Sequence, residues 1–148
     1  MKGTSTDLLA SAAAELSGST IAITGGAGFI GSTLARRLSS DPTISVVLFD
    51  NLHRDAVTES DLLARDNVRL VRGDVRDKDA MLGALAGADR IVHMASIAGV
   101  DTVMNNPVLT MQVSMQGTMN VLEIAHSLMT AGHKLDRVVD FSTSAVFG

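Results

Sequence analysis

Thr24-Gly25-Gly26-Ala27-Gly28-Phe29-Ile30-Gly31 is the stretch on which the fold of this chain turns. It follows a short β-branched run, Ile21–Thr24, and opens a segment with Ile30, Leu34 and Leu38 at helical spacing. Glycines spaced G-x-x-G-x-x-G between a strand and a helix have a physical use. Gly25 permits a tight turn, Gly28 lets a pyrophosphate approach the backbone, and Gly31 lets helix and strand pack closely. The start of the helix offers free N–H groups and the positive end of its dipole to phosphate oxygens. A tight β-α connection that binds nothing would use the same glycines; Asp50 separates the two cases. It ends the second apolar run, Ile44–Phe49, about 20 residues further on, where a carboxylate accepts hydrogen bonds from an adenosine ribose. That carboxylate would repel a 2′-phosphate, which favours NAD over NADP, while Arg54 close by keeps NADP in view.

Outward from this turn, apolar β-branched runs alternate with helical patterns. Further strands are expected at Val68–Val71, Arg90–Ala95 and Arg137–Phe141. Helices are expected at Phe29–Ser39, Asp77–Ala86 and from Val108 to about Thr130, the last opened by Pro107 and stopped by Gly132. A short helix around Leu62–Arg65 interrupts the polar stretch 51–67. The strands are continuous apolar runs, as strands buried on both faces should be. Right-handed crossovers then make an α/β fold with a doubly wound, Rossmann-type parallel sheet of five strands. Residues 20–148 are expected to form the NAD-binding domain. Residues 1–19 are expected to be an N-terminal extension with a weak amphipathic helix (Leu8, Leu9, Ala12, Leu16).

Composition narrows the function. The chain has 148 residues, 46% hydrophobic and 19% charged, which supports a packed domain rather than a disordered one. A net charge of −4 gives no basic surface for nucleic acid. The absence of cysteine removes disulfides, thiolate metal sites and Cys nucleophiles, and agrees with a cytoplasmic location. No apolar run reaches the roughly 18–20 residues that span a bilayer, so no membrane partner is expected. His53, His93, His126 and His133 lack ligand spacing, so no metal is expected; His93 reads as a hydrogen-bonded structural histidine. Met111, Met115 and Met119, four residues apart, read as core filler.

The motifs together resemble the extended short-chain dehydrogenase/reductase family, in its NAD-dependent nucleotide-sugar epimerase/dehydratase branch. TGGAGFIGS (24–32) is similar to that family's nucleotide turn, FDNL (49–52) to its ribose segment and GDVRD (73–77) to its adenine segment. HMASIAGV (93–100) resembles the loop that passes the nicotinamide half, QGTMNVLEIA (116–125) the long packing helix, and FSTSAVFG (141–148) the segment bearing the catalytic Ser or Thr. The resemblance implies NAD contacts from Gly25, Gly28, Phe29, Ile30 and Gly31, and from Asp50, Asn51 and Leu52. It implies others from Asp74 and Val75, from Met94, Ala95 and Ser96, and from Ser114, Phe141 and Ser142. Ser114 stands where the family often has Asn, a shorter side chain for one cofactor contact.

The resemblance also implies a chemistry. A Tyr phenolate takes a proton from a sugar hydroxyl while NAD takes the hydride, a Lys four residues later lowers the Tyr pKa, and a Ser or Thr hydroxyl binds the same substrate oxygen. Thr143 matches that hydroxyl. The chain contains no tyrosine. The Tyr-x-x-x-Lys pair, further strands and a smaller substrate domain are expected beyond Gly148, so the chain is expected to be a fragment, inactive alone and prone to self-association. Dehydratases and decarboxylases of the branch carry an acid two residues after the Thr; here Ala145 stands there, which favours 4-epimerase or simple reductase chemistry. A nucleotide-sugar substrate and a homodimer of the full-length enzyme are the implied partners. A nucleotide-sugar dehydratase, another extended short-chain reductase and a non-catalytic NAD(P)-binding module are the alternatives.

Overall fold

A computed structural model describes residues 14–142 of the chain. Five strands form one parallel sheet: β1 (Thr20–Thr24), β2 (Ser45–Asp50), β3 (Val68–Arg72), β4 (Arg90–His93) and β5 (Arg137–Asp140), in the order β3-β2-β1-β4-β5. The chain builds outward from β1 to β3, then returns to the other side of β1. The order therefore reverses beside β1, and such a switch point opens a crevice at the carboxyl edge of the sheet.

The strands are apolar on both faces because helices cover both. Ile21, Ile23, Val46 and Leu48 pack on one side with Ala35 of α1 (Phe29–Leu38) and with Val57 and Leu62. Ala22, Val47, Phe49 and Ile91 pack on the other with Met81 and Leu85 of α2 (Lys78–Leu85) and with Val121, Ile124 and Leu128. Asp77 caps α2 by accepting the Ala80 N–H at 3.0 Å, as its place at the positive end of the dipole predicts. A 3-10 turn, Asp61–Ala64, occupies the expected short-helix position. Leu16, the described part of the expected N-terminal helix, packs against the α1 side of the core.

The long helix departs from expectation in three ways. A short helix α3 (Val100–Asn105) precedes it inside what reads as a loop. Pro107 then opens α4 (Pro107–Met111), and a π-helical turn (Gln112–Gln116) leads into α5 (Gly117–Thr130). Finally, Met111, Met115 and Met119 are 56%, 57% and 56% exposed, so they are surface and not core filler. The buried stripe is Gly117, Asn120, Val121, Ile124, Ala125 and Leu128, which puts the methionines on the outer side.

Candidate dinucleotide site

The carboxyl end of β1 runs straight into the glycine turn. Gly25 has φ of 69°, and a Cβ there would lie 2.8 Å from the Ala95 nitrogen and 2.9 Å from the Met94 carbonyl carbon. A Cβ on Gly31 would run into the Gly25 carbonyl oxygen and come within 2.8 Å of the Gly26 Cα. Both glycines are thus required by the protein's own backbone. Gly28 is different: its φ of −70° suits any residue, and a Cβ would meet only the Gly25 oxygen, at 3.3 Å. A group seated against the turn gives the bare Gly28 a use that internal packing does not.

Gly28 is also the N-cap of α1 and offers no capping side chain. Ser32 is the first residue of the turn whose N–H enters the ladder, donating to the Gly28 carbonyl at 2.8 Å. The N–H groups of Phe29, Ile30 and Gly31 have no intrahelical acceptor. No acidic side chain stands in this first turn, and Phe29 and Ile30 are 83% and 60% exposed. Three N–H donors at the positive end of a ten-residue helix, two of them on exposed Phe29 and Ile30 and the third on buried Gly31, fit a diphosphate.

Asp50 is tied to that turn. Its Oδ2 accepts the Ala27 N–H at 3.0 Å and its Oδ1 accepts the Leu52 N–H at 2.8 Å. Leu52 holds φ of 64°, a strained value for a γ-branched side chain. Each carboxylate oxygen keeps a lone-pair direction for a ribose hydroxyl. The Ala56 N–H returns to the Ala27 carbonyl at 2.8 Å, so the loop after β2 wraps the glycine turn. Asn51 is exposed and accepts the His53 N–H at 2.9 Å. Arg54 points across the mouth of the crevice, Nη2 lying 3.5 Å from Thr102 Oγ1 on α3.

Beyond β3, Asp74 is half-buried and paired with Arg76, whose hydrogen bonds hold the carboxyl below the usual carboxylate range. Val75 is buried: a Cβ on Gly117 would come within 2.8 Å of its Cγ2, and its carbonyl accepts Asn120 Nδ2 at 2.8 Å. Asn120 escaped the sequence analysis. Its signal was present, a lone amide on the otherwise apolar buried face of α5.

A second unanticipated residue is Thr24. Its hydroxyl lies 2.5 Å from His93 Nδ1, 3.3 Å from the Met94 nitrogen and 3.4 Å from the Ala95 nitrogen. A hydrogen bond joins the hydroxyl to Nδ1, and the Met94 N–H also donates to the Thr24 carbonyl at 3.0 Å. Burial pushes the His93 pKa down, against a smaller upward pull from Asp140, and keeps the ring neutral. His93 is thus the structural histidine expected, and it joins β1 to β4 across the switch point. Met94 and Ala95 run beside Gly25, Ser96 is exposed, and Phe141 donates its N–H to the His93 carbonyl at 3.1 Å before Ser142.

The structure therefore gathers the glycine turn, Asp50, Asp74, Val75, Met94 and Ala95 along one sheet edge. Ser114 lies in the π-helical turn, half-buried, its carbonyl accepting Thr118 Oγ1 at 2.8 Å. Such turns interrupt α-helices at functional sites more often than elsewhere. Thr143 lies outside the described residues. Among the described residues no cluster of His, Asp or Glu could hold a metal ion, and no helix is long and apolar enough to cross a membrane.

A doubly wound dinucleotide-binding fold with an anion cradle at its first β-α turn is the class these features define. The chain belongs to the NAD dependent epimerase/dehydratase family, which matches residues 21–148. It is 34% identical over 135 residues to the dTDP-glucose 4,6-dehydratase of Streptomyces niveus, covering 86% of this chain and 39% of that protein. It is 31% identical over 130 residues to the CDP-paratose 2-epimerase of Salmonella typhi, covering 85% of this chain and 37% of that protein. Among solved structures, the UDP-glucose 4-epimerase of Thermus thermophilus in complex with NAD superposes with a TM-score of 0.67 at 27% identity, over 80% of this chain and 36% of that one. The chain thus spans under half the length of these relatives.

Proposed function

We propose that this chain is the NAD-binding portion of a nucleotide-sugar 4-epimerase-like enzyme. One observation carries the cofactor part: three unpaired N–H groups at the start of α1, with the Asp50 carboxylate hydrogen-bonded to the same turn. The amides of Phe29, Ile30 and Gly31 hold the diphosphate, and Asp50 accepts from the adenosine ribose. Thr24 and His93 fix the Met94–Ala95 backbone where the dinucleotide crosses from the β2 side to the β4 side. NAD, when bound, supplies a hydride acceptor that takes and returns hydride at a sugar carbon. Thr143 donates to the substrate oxygen and steadies its developing charge. With no tyrosine in the chain, the family's proton-transfer role has no holder among these 148 residues, and the chain alone is expected to bind cofactor without turnover.

Ala145, in place of an acid, supports epimerase over dehydratase chemistry. The similarity to a dTDP-glucose 4,6-dehydratase favours the second reading, dehydration of a nucleotide sugar. The product of the whole protein separates them: a C4 epimer in one case, a 4-keto-6-deoxy sugar in the other. We also propose that the whole protein pairs as a homodimer through the exposed face of the helical segment that includes Met111, Met115, Met119 and Leu122.

Calorimetric titration of NAD and NADP tests the cofactor reading. NAD is expected to bind more tightly than NADP. Asp50→Ala is expected to weaken NAD about tenfold, or about 1.4 kcal/mol, and to narrow the preference. Tighter binding of NADP to the unaltered chain would contradict the role given to Asp50.

A further inference from the structure

α5 carries apolar residues on two opposite faces. Val121, Ile124 and Leu128 are buried in the core beneath it. Met119, Leu122 and Met129, on the outer side, are 56%, 54% and 59% exposed. Met111 and Met115 continue that row toward the start of the helical segment, and with Met119 they border an open hollow of about 560 Å³. A helix that is apolar all round is normally covered all round, and an exposed apolar row of this length marks an interaction site. Residues 119, 122, 126 and 129 are spaced by three and four, the seam along which two helices pack. His126 is the one side chain in that seam that can carry a charge.

The face fits a second copy of this chain. Its seam holds no fixed charge. On its flank, Glu123 is already engaged by Lys78 of α2 at 2.5 Å. Two such faces therefore meet without like charges opposed, while a strongly charged partner would find nothing to pair with. Long, flexible thioethers also adapt to one another's shape. Helices packed along this seam set His126 either against a methionine or leucine of the second copy or against the second copy's own imidazole.

We infer that His126 makes this pairing proton-sensitive: the pair forms while the imidazole is neutral and separates when it is protonated. The inference rests on the homodimer reading above and adds the group that regulates it. Imidazole is the side chain that ordinarily changes charge between about pH 5 and 8. Enclosed by apolar side chains, or facing a second imidazolium, the charged form loses its water without gaining a partner. In the separated chain His126 is exposed, with Glu123 one turn away. The charged groups of the neighbouring elements do not reverse this. On α2, Lys78 is held by Glu123 and Asp79 is exposed. After α5, His133 is exposed and Lys134 lies 3.7 Å from Asp136. The segment before α5, residues 107–116, has no ionisable side chain.

The test is analytical ultracentrifugation of the chain, Leu122→Glu and His126→Leu at about pH 8 and about pH 5.5, with circular dichroism to show that each is folded. The unaltered chain is expected to dimerise at the higher pH, and its dimer is expected to weaken about tenfold or more at the lower. Each copy takes up at most one proton at His126 on separation, so the dissociation constant is expected to rise by no more than about 100-fold per pH unit. His126→Leu is expected to dimerise at least as tightly at the higher pH and to change less than about twofold at the lower. Leu122→Glu, which sets a carboxylate in the seam, is expected to stay monomeric at both. An equal acid-induced loss in His126→Leu and in the unaltered chain would overturn the inference, as would a dimer of the unaltered chain that does not change with pH. A dimer that survives Leu122→Glu would place the pairing elsewhere and overturn it too. A folded, monomeric chain at the higher pH would overturn the homodimer reading itself, a result in which protonation plays no part.

Discussion

The two ends of the proposed dinucleotide site are built by opposite means. At the end proposed for the diphosphate the donors are main-chain amides, and the side chains of Phe29 and Ile30 are exposed. At the adenosine end the groups are side-chain carboxylates, Asp50 and Asp74, each held by N–H donors of its own loop. The difference decides how each end fails. The amide end has no functional side chain to delete and is lost only when the backbone moves. The carboxylate end can be removed one group at a time, with the fold left standing. In the proposed site the division also suits the charges: a dianion would meet partial positive charge from the helix, and neutral groups would meet carboxylates.

Mutations sharpen this contrast, and the largest effect belongs to the amide end. Gly31→Ala drives a Cβ into the Gly25 carbonyl oxygen and shifts the start of α1. Misaligning three charge-assisted hydrogen bonds is expected to weaken NAD by about 100-fold, with a stability loss of about 1–3 kcal/mol from overpacking. Calorimetry and urea unfolding would measure the two. The carboxylate end gives the smaller, tenfold change already assigned to Asp50→Ala. Comparable losses from Gly31→Ala and Asp50→Ala would break the division.

Asn120→Ala comes next. It leaves the buried Val75 carbonyl without its donor and is expected to cost about 1–3 kcal/mol in urea unfolding, with an NAD loss of only a few-fold. The smallest effect is a pH dependence. Burial holds the His93 pKa below the 6.5 of an unburied imidazole, so below pH 6.5 the unfolded chain binds a proton that the folded chain refuses. His93 therefore adds stability that is fully present above pH 6.5 and is lost as pH falls toward its lower folded pKa. The slope from this one group is at most about 1.4 kcal/mol per pH unit. His93→Gln is expected to flatten the stability profile between pH 7 and 5, and an unchanged slope would count against a buried neutral ring.

The glycine turn, the strand alternation and Asp50 were legible because each rests on local rules: a strand before the turn, a helix after it, an acid at the end of the next strand. What stayed hidden rests on contacts between segments distant in sequence. Thr24 meets His93 only because β4 lies beside β1, and Asn120 meets Val75 only because α5 packs against the loop after β3. The methionines misled because their four-residue period marks a helix face without saying which face is buried. Gly117 and Asn120 settle that, since the small residue and the lone amide are the ones that approach the sheet. The π-helical turn has no spacing signature at all, because its widened backbone follows from packing rather than from residue type.

The most direct measurement is an amide-resolved nuclear magnetic resonance titration of the isotopically labelled chain with NAD. The account predicts that the largest amide shifts fall on Phe29, Ile30 and Gly31, with Ala27 and Leu52 following through Asp50. Saturable binding that left those three amides unmoved while resonances elsewhere shifted would contradict it.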